Sequence, residues 1–475
     1  MNKADSRAGT APDADAVVIG AGMAGLLAAT VLSGSGRTVT LLERDPATAA
    51  PVPRKGVPQG RQPQVLLHRG LCEIEQLLPG FRRQVIAAGG VPLDTGNLAW
   101  LGERGWAPFG TPAFELVSAT RPLVEHLVRE RVTALPGVAL VRGARVRGLN
   151  RPADGTGWLV ERHGVPSVRA DLVVDTSGRG SRLPQWLIRR GLGEVPATTV
   201  DAGFGYAGRV YAAPPDHFGR VAGVVVLPTP SVPAGGVALP VEGGRWLVAA
   251  VGAAEHRPPR DPEGFHAFLA GLRDPVLADF TGRARPLGDI AVHRRTGNLR
   301  RHYERMTRWP DGLLVLGDSL CAFNPVYGQG ITVAATQALL LRRALARGTG
   351  PGWEHRLIRR LARAADLPWA LATGEDVRHM GGGDRRRPGV DALFSRWSAE
   401  VDRLAAHGNV RAQRTLDSIY HLVGSPARLF DPALIVSAVK GRLMGLPAPS
   451  PRPPLGDGDR TAPLGRAGSL QENNG

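Results

Sequence analysis

The chain has 475 residues, 43% of them apolar, which suffices for two or three packed units and excludes disorder as the dominant state. Its two cysteines, Cys72 and Cys321, exclude a disulfide framework, and no Cys-x-x-Cys or His-x-x-x-His cluster offers metal ligands, so a reduced, cytoplasmic protein without metal is expected. The net charge of +17 is almost all arginine, since Lys3, Lys55 and Lys440 are the only lysines; with scattered arginines and 5% aromatics it reads as a solvated surface or an attraction for acidic partners, not as a nucleic-acid site.

In chain order, residues 1–14 are polar and are expected to be a disordered lead. Lys3 and Arg7 before the apolar run Ala14–Leu32 mimic a signal peptide, but Asp13 and Asp15 abut the run and three glycines interrupt it. Neither secretion nor a membrane anchor is expected. Ala16 to Ile19 reads as a strand, Leu26 to Leu32 as a helix and Thr38 to Leu42 as a second strand, a βαβ opening. A Pro/Gly/Gln-rich connection runs from Asp45 to about Gly70, followed by an amphipathic helix over 121–134 and strands within 138–149 and 157–175.

From about 195 to 295 the pattern changes to β-branched runs such as Val221 to Leu227 and Trp246 to Val251, expected to form an inserted antiparallel sheet. Leu313 to Leu316 returns as a buried strand, Gln329 to Ala346 as a long helix, and 353–380 and 390–440 have helical periodicity. The expected division is a Rossmann-type α/β unit over 15–194 and 296–350, a β-sheet substrate unit over 195–295, a C-terminal helical region over 351–446 and a disordered tail over 447–475.

Gly20-Ala21-Gly22-Met23-Ala24-Gly25 sits between strand and helix, with Glu43 ending the next strand. Glycines permit the tight turn and backbone approach to a pyrophosphate, which free N–H groups at the helix start stabilise; a carboxylate about 20 residues on suits a ribose. NAD and FAD both use this pattern. The far end of the chain favours FAD: Leu314 to Asp318 is a strand ending in a carboxylate, and Ala322-Phe323-Asn324-Pro325-Val326-Tyr327-Gly328-Gln329-Gly330 opens a helix whose N–H groups suit the electron-rich edge of a flavin.

With the Asp-Thr-Ser-Gly-Arg-Gly-Ser stretch at 175–181, these motifs resemble the single-component FAD-dependent monooxygenases of the para-hydroxybenzoate hydroxylase superfamily. The segment Arg54 to Gly70 and Pro368 to Thr373 are similar to the polyene epoxidases of polyether antibiotic pathways, and the resemblance spans about residues 14 to 445. It implies a glutathione-reductase-like fold of the hydroxylase type. Gly20, Gly22, Met23, Ala24 and Gly25 would hold the pyrophosphate, Glu43 the adenosine ribose, and Arg44 and the Val146 backbone the adenine. Arg121 would reach the central portion of the FAD, Asp318 its ribityl or phosphate groups, and Pro325, Gly328, Gln329, Gly330 and Ile331 its ring. Arg54, Lys55 and Gln59 would pass near the ring, and Gln62 and Gln64 stand where the family commonly has histidines.

The implied activity is epoxidation of an alkene in a polyketide or polyene intermediate through a flavin C4a-hydroperoxide, with molecular oxygen, and with NAD(P)H as reductant directly or through a flavin reductase. The substrate would be free or bound to a carrier protein. No catalytic side chain is named, and Phe204, Tyr206 and Trp246 are the candidate substrate-pocket residues. Rival readings are a hydroxylase of another secondary metabolite, a reductase of polyprenyl chains, which the 175–181 stretch also resembles, and a flavin-binding sensory or structural protein. A halogenase is disfavoured, because the chain lacks a Trp-x-Trp-x-Ile-Pro segment.

Overall fold

The computed structural model describes residues 13–46, 50–54, 56–213, 217–382 and 390–455. Residues 1–12 of the expected lead, residues 456–475 of the expected tail, and Lys55 lie outside the described residues.

Val17, Val18, Leu41, Leu42, Val173 and Val174 are sealed from solvent, the all-apolar character of parallel strands covered on both faces. Accordingly, Ala14–Ile19 lies between Val39–Glu43 and the second half of Val165–Asp175, all parallel, and Val138–Arg142 extends the sheet beyond Val39–Glu43. Leu313–Val315 returns to pair in parallel with Val173 to Asp175, so chain segments far apart in sequence share one sheet. Trp158–Arg162 and Val146–Asn150 complete it as antiparallel strands. Helices Met23–Ser33, Arg121–Thr133 and Gly330–Ala346 contribute to one core with it. The result is a mixed α/β unit with a mainly parallel central sheet, the class expected from the sequence.

The second large sheet has the order Arg285–His293, Gly205–Ala212, Arg245–Gly252, Ala234–Val241, Gly223–Val226, Leu98–Gly102, Gly105–Trp106. Its last two strands come from the segment assigned by sequence to the nucleotide-binding unit. Leu98–Gly102 pairs in parallel with Gly223–Val226, and a pairing between segments so distant leaves no mark in local periodicity. The sheet unit therefore extends beyond the expected 195–295 boundaries. Helices Pro262–Ala270 and Val276–Arg283 pack on one face of this sheet.

Beyond Gly330–Ala346 the chain forms helices Trp353–Ala364, Asp366–Val377, Val390–Ala406, Val410–Tyr420 and Pro432–Met444, with a π-helical turn at Arg378–Gly382. Of the stretch read as a disordered tail, residues 447–455 run back along the molecule. The Ser450 N–H donates to Ala406 O at 2.7 Å, Arg452 pairs with Asp274 at 2.7 Å, and Leu455 packs against the core of the second sheet.

Candidate functional site

The glycine turn is shaped by a close approach that no other residue permits. Gly20 has φ +99°, and a Cβ there would stand 2.6 Å from Thr176 O; a Cβ at Gly25 would collide with Gly20 O and the Thr176 hydroxyl. The Thr176 hydroxyl donates to Ile19 O at 2.9 Å and Gly20 O at 2.8 Å, which explains part of the 175–181 motif: it buttresses the turn from behind. Asp175, fully buried, accepts from the Ser177 N–H at 2.9 Å, from the Ser177 hydroxyl at 2.6 Å and from the Ser181 hydroxyl. Gly22 by contrast faces open space, and as the N-cap of Met23–Ser33 it leaves the first helical N–H groups without a side-chain cap. A bare, positively polarised helix start behind a Cβ-free turn fits a pyrophosphate.

Glu43 ends its strand as expected, and its carboxylate is already engaged. Oε2 accepts from the Ala21 N–H at 2.9 Å and pairs with Arg54 at 3.1 Å, while Oε1 accepts from the Asp45 N–H at 2.9 Å. Arg54 also binds Asp45 at 3.2 Å and Glu125 at 2.7 Å, and Glu125 takes Arg121 at 2.7 Å. Burial works to raise the Glu125 pKa, but Arg121 and Arg54 outweigh it and hold the carboxyl below its usual range. Arg54 and Arg121 thus form one buried ionic frame beside Glu43. Asp45 and Glu125 were missed by the sequence reading, although the Arg121, Glu125, Arg129 spacing along one helix face was visible. Arg44 is exposed at the strand end, and Val146 pairs with Arg162 in the sheet, close to where the Ala144 N–H donates to Glu43 O. Gln59 falls in the short turn Pro58–Arg61.

The two halves of the site meet at Gly317, where a Cβ would press 2.6 Å from that of Ala24. Gly317 adopts φ +63°, and its N–H donates to buried Gln337 at 2.6 Å. Asp318 follows, with no side-chain hydrogen bond among the described residues; burial raises its pKa, opposed by Arg179, Arg121 and Arg301. Gly328 has φ +65°, and Gln329 caps Gly330–Ala346 without a side-chain bond, its own Oε1 buried and unpartnered. A second uncapped helix start, beginning at Gly330 and Ile331, therefore lies beyond an unpaired carboxylate. Two open helix starts with a carboxylate between them fit an extended dinucleotide carrying a polyol and an electron-rich ring, so the residues present fit FAD.

The loop Pro325–Tyr327 is fixed by a buried polar cluster that sequence reading missed. Asp376 is fully buried and accepts from Tyr327 Oη at 2.8 Å, Asn324 Nδ2 at 3.1 Å and Asn298 Nδ2 at 2.7 Å. Tyr206 Oη donates to Asn324 Oδ1 at 2.6 Å. Burial pushes the Asp376 pKa up to about 6 against those three hydrogen bonds. No motif announces Asp376, because its role comes from a C-terminal helix docking on the loop.

A cavity of about 1140 Å³ opens from this loop, lined by Pro325 to Gln329 and Tyr206 at one end. Its walls are strands of the second sheet, including Val237, Leu239, Ala249 and Val251, and the C-terminal helices, including Leu371, Ala405, Leu416 and Tyr420. The expected pocket residues separate. Tyr206 lines the cavity; Phe204 lies behind the wall, its ring 5.1 Å from that of His379. Trp246 is corrected: it pairs with Tyr211, whereas Tyr206 pairs with Val251, and five residues along a strand reverse the face. Trp246 packs against Phe218 and Phe280 in the core on the other side of the sheet. Gln62 and Gln64 do line the cavity, and Gln62 Nε2 donates to Ala291 O at 2.9 Å.

Comparison with known proteins agrees with this geometry. The family described as FAD binding domain matches residues 13–357. Protein Rv3254 of Mycobacterium tuberculosis is 34% identical over 456 residues, covering 87% of this chain and 92% of its own length. Among solved structures, a flavoprotein/dehydrogenase from Cytophaga hutchinsonii aligns with TM-score 0.64 and 16% identity over 91% of this chain and 99% of that one. PqsL of Pseudomonas aeruginosa, a probable FAD-dependent monooxygenase, aligns with TM-score 0.59 and 17% identity over 78% of this chain and 100% of that one. The flavin-dependent brominase Bmp2 aligns with TM-score 0.61 and 16% identity over 90% of this chain and 100% of that one. At these identities the structural likeness is one of fold. Among the described residues, no helix is long and apolar enough to cross a membrane.

Proposed function

The chain belongs to the FAD-binding domain family, and from that premise we propose that it is an FAD-dependent monooxygenase that epoxidises an alkene of a large, mainly apolar polyketide or polyene. One observation supports this reading above the others: the cavity of about 1140 Å³, walled largely by aliphatic side chains, opens directly on the Pro325–Gln329 loop. Its volume lies just above the usual range of small-molecule sites, which run to about 1,000 Å³. When bound and reduced, FAD supplies the electrons that activate dioxygen for transfer of one oxygen atom to an electron-rich carbon.

The chain's own residues have three tasks. Gly20, Gly22 and Gly25 admit the pyrophosphate to the Met23 helix start, while Glu43, with Arg54 and Arg121 beside it, holds the ribose end and the middle. Asp318 takes ribityl hydroxyls, and the N–H groups at Gly330 and Ile331 stabilise negative charge at the ring edge. Leu67, Val326, Val251 and Leu371 line the cavity and keep water from the reacting face. No acid or base is required of the protein for alkene oxygenation, and burial lowers the pKa of the lining His379 and His421 to about 4.

The test is aerobic turnover with purified flavoprotein, NADH or NADPH, and a panel of linear polyenes, following oxygen consumption and product mass. Gain of one oxygen atom per reductant is expected. A product that gains two hydrogens instead makes the enzyme a reductase of unsaturated chains, and consumption that yields only hydrogen peroxide with every polyene removes the epoxidase reading.

A further inference from the structure

The cavity has two unlike ends. Tyr206 and Gln329 are buried at the loop end. Arg104, Arg396 and Arg414, all exposed, line it where it meets solvent. None of these three arginines has an ion pair or a side-chain hydrogen bond among the described residues, whereas the lining Arg378 is occupied by Glu375 at 3.1 Å and by Glu103. Arg104 is close enough to act electrostatically on Glu400 and Asp402 of the helix that also bears Arg396, and the Arg414 helix packs against that helix.

Among the described residues, none of the four acids in the lining forms an ion pair with these three arginines. Glu103 and Glu375 are taken up by Arg378, and burial raises the pKa of Asp402 and pushes that of Asp417 up to about 7. Guanidinium groups stay charged throughout the working pH range, so three cations without an ion pair among the described residues stand at the edge of an apolar cavity.

Resting on the oxygenase reading for what the loop end does, we propose that the substrate is an extended apolar chain with an anionic terminus, the terminus held by Arg104, Arg396 and Arg414 and the unsaturated body lying toward Tyr206 and Gln329. The anion is either the carboxylate of a free acid or the phosphate of a phosphopantetheine thioester; both present oxygens that a guanidinium binds through paired N–H groups. An uncharged polyene gains nothing from three guanidinium groups at the opening.

The experiment reads binding without turnover. Full-length protein is titrated with cis-parinaric acid, a fluorescent linear tetraene acid, with its methyl ester, and with the S-parinaroyl phosphopantetheine; energy transfer from tryptophan, including the cavity-lining Trp100, reports occupancy. The anionic forms are expected to bind about 10-fold more tightly than the ester, with an advantage that shrinks as salt is raised. Arg104→Gln, Arg396→Gln and Arg414→Gln are each expected to weaken the anionic ligands about 3-fold to 10-fold and leave the ester unchanged. If only the acid responds to the arginines, the source is a free acid; if only the thioester responds, it is a tethered chain. Equal affinity for acid, thioester and ester, or indifference to all three substitutions, overturns the proposal. Arginine-dependent binding of an acid that is never oxygenated leaves it standing and removes the oxygenase reading instead.

Discussion

The dinucleotide site and the cavity beside it are built on opposite principles. The first is assembled from backbone: Gly20 and Gly25 pressed against Thr176, Gly317 pressed against Ala24, and two uncapped helix starts. The second is assembled from side chains on strands within 98–106 and 205–252 and on the C-terminal helices, three stretches far apart in sequence. A backbone site tolerates few residue types and so writes itself into short motifs, whereas a cavity wall needs only apolar volume and leaves many solutions open. Substitutions in the first should act almost all-or-none on FAD; substitutions in the second should be graded and ligand-dependent.

The largest effect is expected at Gly25. Gly25→Ala places a methyl group into Gly20 O and the Thr176 hydroxyl, where backbone has to move. The expected outcome is a loss of FAD affinity greater than about 100-fold, or about 3 kcal/mol, seen as purified protein with little flavin absorbance beside the wild type. Retained stoichiometric flavin would show the turn to be softer than its contacts imply and would blur the contrast between the two regions.

Next comes Asp376, where the two regions join. Asp376→Ala strands the donors of Tyr327, Asn324 and Asn298 in a buried space. Removing a buried acceptor with several partners costs about 2–4 kcal/mol, read as a lower unfolding midpoint, and the freed Pro325 loop should let hydrogen peroxide form at the expense of oxygenated product. Asp376→Asn should rescue only part of this, since its amide offers one acceptor oxygen to three donors.

How far the sequence could be read follows from the same contrast. The βαβ opening, Asp318 and the Gly328–Gly330 helix start were legible because each depends on residue type at fixed spacing. Leu98–Gly102 as part of the second sheet was not, because a parallel pairing with Gly223–Val226 has no local trace. Asp376 and Asp417 were invisible for a similar reason: both are ordinary helix residues until tertiary packing buries them. Trp246 misled because aromatic content in a strand does not say which face it occupies, and only the register opposite Tyr211 decides.

Asp417 gives a pH test confined to the cavity side. Its folded pKa, raised by burial to about 7, lies above the ordinary 3.8, so the folded state favours the neutral acid. That contribution is fully present below about pH 4 and is lost as pH rises through 7. Between pH 5 and pH 8 the wild type should therefore lose about 2–3 kcal/mol that Asp417→Asn, which keeps an acceptor for Gln413, does not lose. Denaturation at the two pH values, compared between the proteins, measures the difference; parallel pH dependence in both would mean the carboxyl is hydrated and ordinary.

The smallest effect separates two aromatic residues on one sheet. Tyr206→Phe deletes the hydroxyl that donates to Asn324 and changes a cavity wall, so it should alter substrate affinity and coupling while costing about 1 kcal/mol of stability. Trp246→Phe shrinks a side chain in the core against Phe218 and Phe280, so it should cost about 1–2 kcal/mol and leave substrate affinity unchanged. The pair works as a register gauge: Tyr206 and Trp246 stand opposite Val251 and Tyr211, an odd number of residues apart along each strand. A substrate-affinity change at Trp246 larger than at Tyr206 would require the strand to be shifted by one residue. Such a shift would turn Ala249 and Val251 into the core and close the cavity on that side.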